Sequence, residues 1–545
     1  MNSLVRSTFP MILAASMLAG CGGTSAASAS QSAVSEKPEV NVAVDADLIS
    51  MDPDLANDGT SMAMIQVCQS GLTQVGEDHT AEPDLAESWD ISSDQLTYTF
   101  HLRSGLTWSD GTALTASDFT YAWQRLADPS TGSEYGYILS TMHVKNYDEV
   151  AAGTMTPDQL GVSAPDDTTF TVELTQPCPF LLTILWLAPL MPVSQASVKA
   201  NGDQFALSTD TMVYCGPYVM SSWEAGNSYS FTKNDTYWDS SSYPDQTLTF
   251  RYIQDSQSSL LSYQQGSLDI TQLTGEQVDS YKSDPGYQSN LVGMSWWIEF
   301  NYENEMFQNE DLRRAISCGI DRTTLAESVL KDGSLPLNGF IPEQFAYSTD
   351  GQDFRKTAGT YTLYDPAQAA DSYAKAKEAN GGKDYTIDLL YDDSESCKAV
   401  AENVQAMLQK NCPGLTITLN GKPKKTRAQM MFTDHDFQIA LTRWGPDYTD
   451  PQTFLDFYKT DTAGFVYTTW KDDAYNAIMD RAEGEDASDA SKRWADMAEA
   501  EKYLMDHAIN VPLYQNSITM LVNPKVTGLR SVGTGLEYRH AAKAN

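Results

Sequence analysis

The sequence predicts a mixed α/β protein, and three observations carry that reading. Strand-like alternation and helical periodicity are both frequent along the chain, and they succeed one another without a regular βαβ repeat. A length of 545 residues exceeds what one hydrophobic core serves, so two or more domains are expected. Apolar content of 41% and aromatic content of 10% supply such cores and exclude wholesale disorder.

Each element carries its own local signal. Strand-like runs fall at 40–44, 98–102, 170–174, 248–253, 387–391 and 437–442. Helical patterns fall at 117–126, 256–265, 310–320, 366–379, 394–409 and 493–507. The stretch 97–128 is the most informative. It begins as an alternating strand, passes through the Trp108-Ser109-Asp110-Gly111 turn and enters a helix, where Thr115 and Asp118 have the spacing of a capping pair. Later, Asp365-Pro366 opens a helix, Asn380-Gly381-Gly382 ends it, and a strand comes next.

A formal charge of −38, spread along the chain, repels nucleic acid and anionic headgroups. Its plainest role is solubility. The N terminus reads as a processing signal. Arg6 supplies a short positive region, 9–18 an apolar run, and Leu18-Ala19-Gly20-Cys21 ends it; the run is too short for a permanent membrane span. The tetrad resembles the bacterial lipobox, which implies removal of residues 1–20 and lipidation of Cys21. Residues 21–38, rich in Gly, Ala and Ser, read as a flexible tether. One lipidated cysteine anchors a protein to a membrane without spanning it.

Six further cysteines stand at 68, 178, 215, 318, 397 and 412. None forms a Cys-x-x-Cys pair, so neither a zinc site nor a redox motif is indicated. Buried thiols are the general expectation, with Cys397 and Cys412, which flank one helical stretch, as a candidate pair.

Further motifs recur along the chain. Glu87-Ser88-Trp89 precedes the Trp-Ser-Asp-Gly turn; Gly216-Pro217-Tyr218, Trp223 and Lys233-Asn234-Asp235-Thr236-Tyr237-Trp238 lie after it. Phe300-Asn301, Asp311-Leu312-Arg313-Arg314-Ala315-Ile316 and Ile320-Asp321-Arg322 come next. From about Val40 to about Leu529 this series resembles, in order and spacing, the bacterial extracellular solute-binding proteins of family 5. The resemblance implies a two-lobed periplasmic-binding-protein clamp of the large type with an extra inserted domain. Lobe I would comprise 39–71, 192–295 and 511–545, the insert 72–191, and lobe II 296–510. Two strands crossing between lobes would form the hinge, with ligand held in the cleft.

Enzyme constellations are missing from the sequence: there is no His-Glu-x-x-His, Gly-x-Ser-x-Gly, Walker loop or Gly-x-Gly-x-x-Gly. Asp434-His435-Asp436, a histidine between two carboxylates, reads as a solvated turn before the strand at 437. No catalytic residue, metal or cofactor is expected.

The richest binding candidate is Arg443-Trp444-Gly445-Pro446-Asp447-Tyr448, delivered by a strand to a Gly-Pro turn. Local sequence alone favours Asp447 as a turn residue capping the next helix. The resemblance makes Asp447 the partner of a peptide's α-ammonium, Trp444 a flat apolar wall, and Tyr135 and Tyr514 cleft tyrosines, although both tyrosines also read as core aromatics. It makes Asn57–Gly59 a loop whose backbone pairs with the ligand, which leaves side-chain choice permissive. Where some relatives have a cysteine pair, Met294 and Gly445 stand here. Positions used by some relatives for the ligand's C terminus read Cys397, Phe432 and Leu441. The basic run Gly421–Arg427 reads either as a solvated loop or, through Lys425 with Lys424 or Arg427, as a cleft feature favouring acidic ligands.

The function implied is a lipid-anchored, monomeric receptor on the outer face of the cell membrane. It would deliver short peptides to an ABC permease with cytoplasmic ATPases, without nucleic-acid partners. The same fold carrying a nickel complex, haem or an oligosaccharide, or a receptor that senses peptides without importing them, are the alternatives.

Overall fold

Alternating apolar residues build an eleven-stranded mixed sheet that runs through both halves of the chain. In a computed structural model describing residues 37–76, 79–348, 351–361, 363–460, 468–532 and 535–544, ten of its strands form one path. In spatial order these are Thr416–Lys422, Thr386–Asp392, Ile439–Trp444, Tyr287–Phe300, Val511–Val522, Ile270–Gln272, Glu39–Val44, Thr247–Tyr252, Ser228–Lys233 and Tyr218–Glu224. Leu335–Pro336 pairs on Val511–Val522 off this path. The signal segment 1–20, Cys21 and nearly all of the tether lie outside the described residues.

Two long antiparallel strands, Tyr287–Phe300 and Val511–Val522, join the two ends of the sheet. Their register slips between Leu291 and Ser295 and again between Trp296 and Trp297. Pro512 lies at the second slip, paired with Trp297, where a residue without an N–H is tolerated. One apolar core lies on the side of Glu39–Val44 and takes in residues such as Val42, Phe100, Trp123, Phe170, Phe231 and Phe250. A second takes in Trp297, Phe300, Leu312, Leu389, Val404 and Leu513.

Residues 86–173 carry a separate four-stranded antiparallel sheet in the order Ala86–Ile91, Thr97–Leu102, Thr169–Glu173, Val162–Asp166. Helix Ala116–Ala127 covers it, because Phe119, Trp123 and Leu126 recur at helical spacing and are buried. Trp123 meets Phe170 edge-on at 5.4 Å. The expected capping pair forms: the Asp118 carboxylate accepts from the Thr115 N–H at 2.8 Å. In the preceding turn Gly111 has φ 84°, which an L side chain adopts only with strain.

The sequence motifs meet in space. Ser109 N–H donates to the Tyr214 carbonyl at 2.8 Å, and Tyr214 N–H returns a bond to Ser109 Oγ at 3.0 Å. Asn234 Nδ2 donates to the Gly216 carbonyl at 2.8 Å. Tyr237 and Trp238 both donate to Asp84 Oδ1, at 2.7 and 3.1 Å. In the second half, buried Arg313 donates to the carbonyls of Phe307, His507 and Ala508, and buried Arg322 to those of Ser317, Ile320 and Pro512. Such guanidiniums serve as multi-pronged backbone clips.

Three expectations are corrected. Cys397 lies in the first turn of helix Glu395–Asn411 and Cys412 caps its C terminus. A 1.5 Å rise per residue separates them by roughly 22 Å, far beyond disulfide reach. All six described cysteines are buried free thiols. The basic run at 421–427 is also no single loop: Gly421 and Lys422 end a strand, and helix Lys424–Phe432 starts after Pro423. The strand after His435 begins at Ile439, two residues later than its pattern suggests.

Candidate functional site

Helix Gly59–Cys68 starts where Asp58 accepts from the Ser61 N–H at 2.9 Å, an ordinary N-cap. The loop before it is fixed by Arg125 on helix Ala116–Ala127. That guanidinium donates to Asp52 at 2.6 and 2.8 Å and also to Asp54. Burial pushes the Asp54 carboxyl up to about 8, against the pull of Arg125. Loop residues Asn57 and Gly59 therefore sit at a defined edge.

On the other side, strand Ile439–Trp444 ends and the Gly445-Pro446 turn presents Asp447. A cavity of about 280 Å³ lies between them. Asn57, Gly59, Tyr135, Trp186, Met294 and Asp447 are among its lining residues. Gly445 lines it beside Met294, so this wall carries no disulfide. Tyr135 donates to Asp447 Oδ1 at 3.3 Å, and Tyr137 donates to Oδ2. Burial pushes the Asp447 carboxyl up to about 6, only partly offset by the two phenols. Among the described residues no guanidinium or ammonium pairs with it. A desolvated carboxylate held by neutral donors and facing a cavity is a ready acceptor for a cation.

The other expected residues stand elsewhere. Trp444 is half-buried; its Nε1 donates to Thr453 at 3.0 Å and its ring meets Phe457 edge-on at 5.1 Å, in the second core. Tyr514 is buried and stacked on Trp296, with ring centres 5.5 Å apart. Lys425 is exposed in the first turn of its helix. Arg427 is buried with Nε 2.9 Å from Asp392 Oδ1, so it is committed to the fold. Tyr137 is the residue sequence reasoning missed. The Tyr135-Gly136-Tyr137 repeat was its only trace, and nothing local says that both phenols converge on a residue 310 positions away.

A larger groove of about 530 Å³ is lined by Tyr98, Pro179, Tyr347, Asp450, Arg493 and others. Its opposite charges already satisfy one another, since Arg493 holds Asp450 through two 2.8 Å bonds. It offers no unpaired charge comparable to Asp447.

Comparison with known proteins agrees with this architecture. Residues 80–465 match the family described as bacterial extracellular solute-binding proteins, family 5, middle. The chain is 31% identical over 525 residues to the dipeptide-binding protein of Lactococcus lactis subsp. cremoris, covering 93% of this chain and 94% of that one. It is 26% identical over 539 residues to the oligopeptide-binding protein OppA of Bacillus subtilis, covering 97% and 96%. Among solved structures, peptide-bound Listeria monocytogenes OppA superposes with a TM-score of 0.79 at 29% identity, covering 93% of this chain and 99% of that one. With the match spanning most of its length and both halves of its fold, the chain belongs to the bacterial extracellular solute-binding proteins of family 5.

Proposed function

We propose that this protein is the peptide-capturing receptor of an ABC importer, held at the outer face of the membrane through a lipid on Cys21. One observation carries the reading: Asp447 is a half-buried, desolvated carboxylate without a cationic partner among the described residues, opening onto a cavity edged by the Asn57–Gly59 loop. A peptide α-ammonium satisfies it, and the loop's backbone groups are suited to main-chain pairing that does not depend on side-chain identity. Relatives whose names specify dipeptides or oligopeptides support the same cargo.

In this reading lobe I is 39–71, 192–295 and 511–545, the insert is 72–191, and lobe II is 296–510. The two joining strands, with their register slips, are the hinge. Tyr135 positions Asp447. Trp444 and Tyr514 contribute through the walls they brace, and Lys425 stands at the rim. The permease and its ATPases are the partners that the import role requires.

Calorimetry with a tripeptide and its N-acetylated form tests the assignment. Acetylation and Asp447→Asn are each expected to weaken binding about a hundredfold, because either change leaves one member of a desolvated pair alone. Applied together they should cost little more than either one. Equal affinity for the free and acetylated peptides would remove Asp447 from the ammonium role.

A further inference from the structure

Helix Gly59–Cys68 is apolar on two faces, where a helix at the edge of a cleft ordinarily keeps one of them charged. Met64, Ile65 and Cys68 recur at helical spacing and are buried in the first core. Gly59, Met62, Ala63 and Gln66 repeat that spacing on another side, and all four line the Asp447 cavity. No residue of this helix is charged. Met62 and Ala63 are half-buried, so part of each is left to the cavity.

A hairpin near the C terminus extends this wall. Arg530–Val532 pairs with Gly535–Glu537, and Gly535, Leu536 and Glu537 line the same cavity. Just beyond, Tyr538 is buried in the first core, edge-on to Phe250 at 5.1 Å. The Tyr218 hydroxyl donates to the Arg539 carbonyl at 3.2 Å. The chain after Leu536 therefore fixes where that side chain stands. The carboxylates on this wall are engaged within the fold. Glu537 accepts from Arg539 Nε at 3.1 Å and lies 2.9 Å from His540 Nδ1, and Asp58 caps the helix. What the wall offers uncommitted is apolar: Met62, Ala63, Leu187, Met294 and Leu536.

An ammonium held at Asp447 brings its own side chain with it. In an α-amino acid both groups leave the same carbon, so the first side chain of a bound peptide stays in this cavity. An apolar cavity of roughly 150 Å³ takes a benzene-sized group. At about 280 Å³ this one has room for the ammonium and one bulky side chain, and none for a whole extended peptide. We propose that Met62 and Leu536 are specificity-determining residues, forming with Ala63 and Leu187 an apolar pocket that selects peptides whose first residue is large and apolar. The inference rests on the peptide reading above and narrows it at one position. Met62 is unbranched and adaptable, so the pocket accepts leucine, methionine or phenylalanine without choosing sharply among them. Backbone pairing at the Asn57–Gly59 loop leaves later positions permissive.

The test is titration calorimetry on the full-length chain with Leu-Ala-Ala, Ala-Ala-Ala, Ala-Leu-Ala and Lys-Ala-Ala. Leu-Ala-Ala should bind about tenfold tighter than Ala-Ala-Ala, and Ala-Leu-Ala should gain less than about threefold. Leu536→Ala should bring the first ratio down to about threefold. Ala63→Leu fills the pocket without deleting a packed side chain, and should bring the ratio close to one. It keeps the test valid if Leu536→Ala folds poorly. A first ratio near one in the parent, or one that either folded variant leaves unchanged, would overturn the pocket. Equal gains from leucine at the first and second positions would overturn it too. Tightest binding by Lys-Ala-Ala would give the wall to its carboxylates and overturn it as well. Each of these results leaves the peptide reading standing. If none of the four peptides binds, the peptide reading falls and the pocket falls with it.

Discussion

Tyr137 donates its phenol to Asp447, tying the start of a short helix in the first half of the chain to the turn that follows a strand in the second half. Burial holds the Tyr137 hydroxyl far above the ordinary tyrosine range, so it remains a donor at every working pH.

That contact sets a pH dependence for ligand capture. With the Asp447 carboxyl at about 6, the free protein presents a carboxylate above that pH and a neutral acid below it. An ammonium ligand binds the ionised form. Affinity should therefore be level above pH 7 and fall below pH 6, approaching tenfold per unit. Tyr137→Phe removes a bond that favours the ionised form, so the midpoint of the fall should move upward. Thermal unfolding of the same variant should report a loss of about 1 kcal/mol. Peptide titrations from pH 5 to 8 check both, and a midpoint unmoved in Tyr137→Phe would separate the phenol from the carboxylate's ionisation.

Glu299 gives a second pH signature, in stability. It is fully buried on the joining strand Tyr287–Phe300, accepting from Tyr458 at 2.5 Å and Trp297 at 2.9 Å, and burial pushes its carboxyl up to about 8. The unfolded chain loses this proton near the ordinary glutamate value while the folded protein keeps it. Stability from this group is thus full at acid pH and declines as pH rises from about 4.5 to about 8. Glu299→Gln keeps the shape and removes the titration, so its Tm should fall less than the parent's between pH 5 and pH 8. Parallel Tm curves for the two proteins would contradict this.

Gly216 tests a motif by sterics. An added Cβ there would lie 2.6 Å from the Cys68 carbonyl carbon and 2.7 Å from the Gln69 nitrogen, both backbone atoms. Gly216 N–H bonds the Cys68 carbonyl at 2.9 Å, so the two segments cannot part without losing that bond. Gly216→Ala should destabilise the protein by about 1–3 kcal/mol in denaturant titration.

The cysteines yield a chemical count. The six in the described residues are buried thiols, and burial pushes Cys412 up to about 12. These six should resist a thiol reagent in native protein and react once it is denatured, in addition to Cys21 wherever that thiol carries no lipid, and a reductant should leave Tm unchanged.

How far the sequence could be read depended on whether a signal was local. The 366–379 helix was legible to the residue, because Asp365-Pro366 and Asn380-Gly381 punctuate both ends. The capping pair at Thr115 and Asp118 was legible for the same reason. The strands at Tyr287–Phe300 and Val511–Val522 escaped pattern reading. They are buried on both faces over much of their length, so apolar alternation is lost, and Pro512 argues against a strand until the slip beside Trp297 is seen. At the site, Asp447 stood out through the family resemblance, since the local sequence alone favoured a turn residue capping the next helix. Trp444 packs on Phe457 in the second core because strand alternation puts it on the face opposite Arg443. Tyr137 and the cavity wall at Leu536 depend on contacts between distant segments, which no local window contains.

The apolar core that takes in Val42 also takes in Phe100, Trp123 and Phe170 from the 72–191 segment. For protein engineering and for evolution alike, that segment is therefore not a cassette. Chimeras cut near 72 and 191 would juxtapose two halves of a core that had adapted to other partners. Substitutions on either side of the cut should accordingly change in concert across relatives, and recombination that retains function should favour breakpoints beyond the shared core.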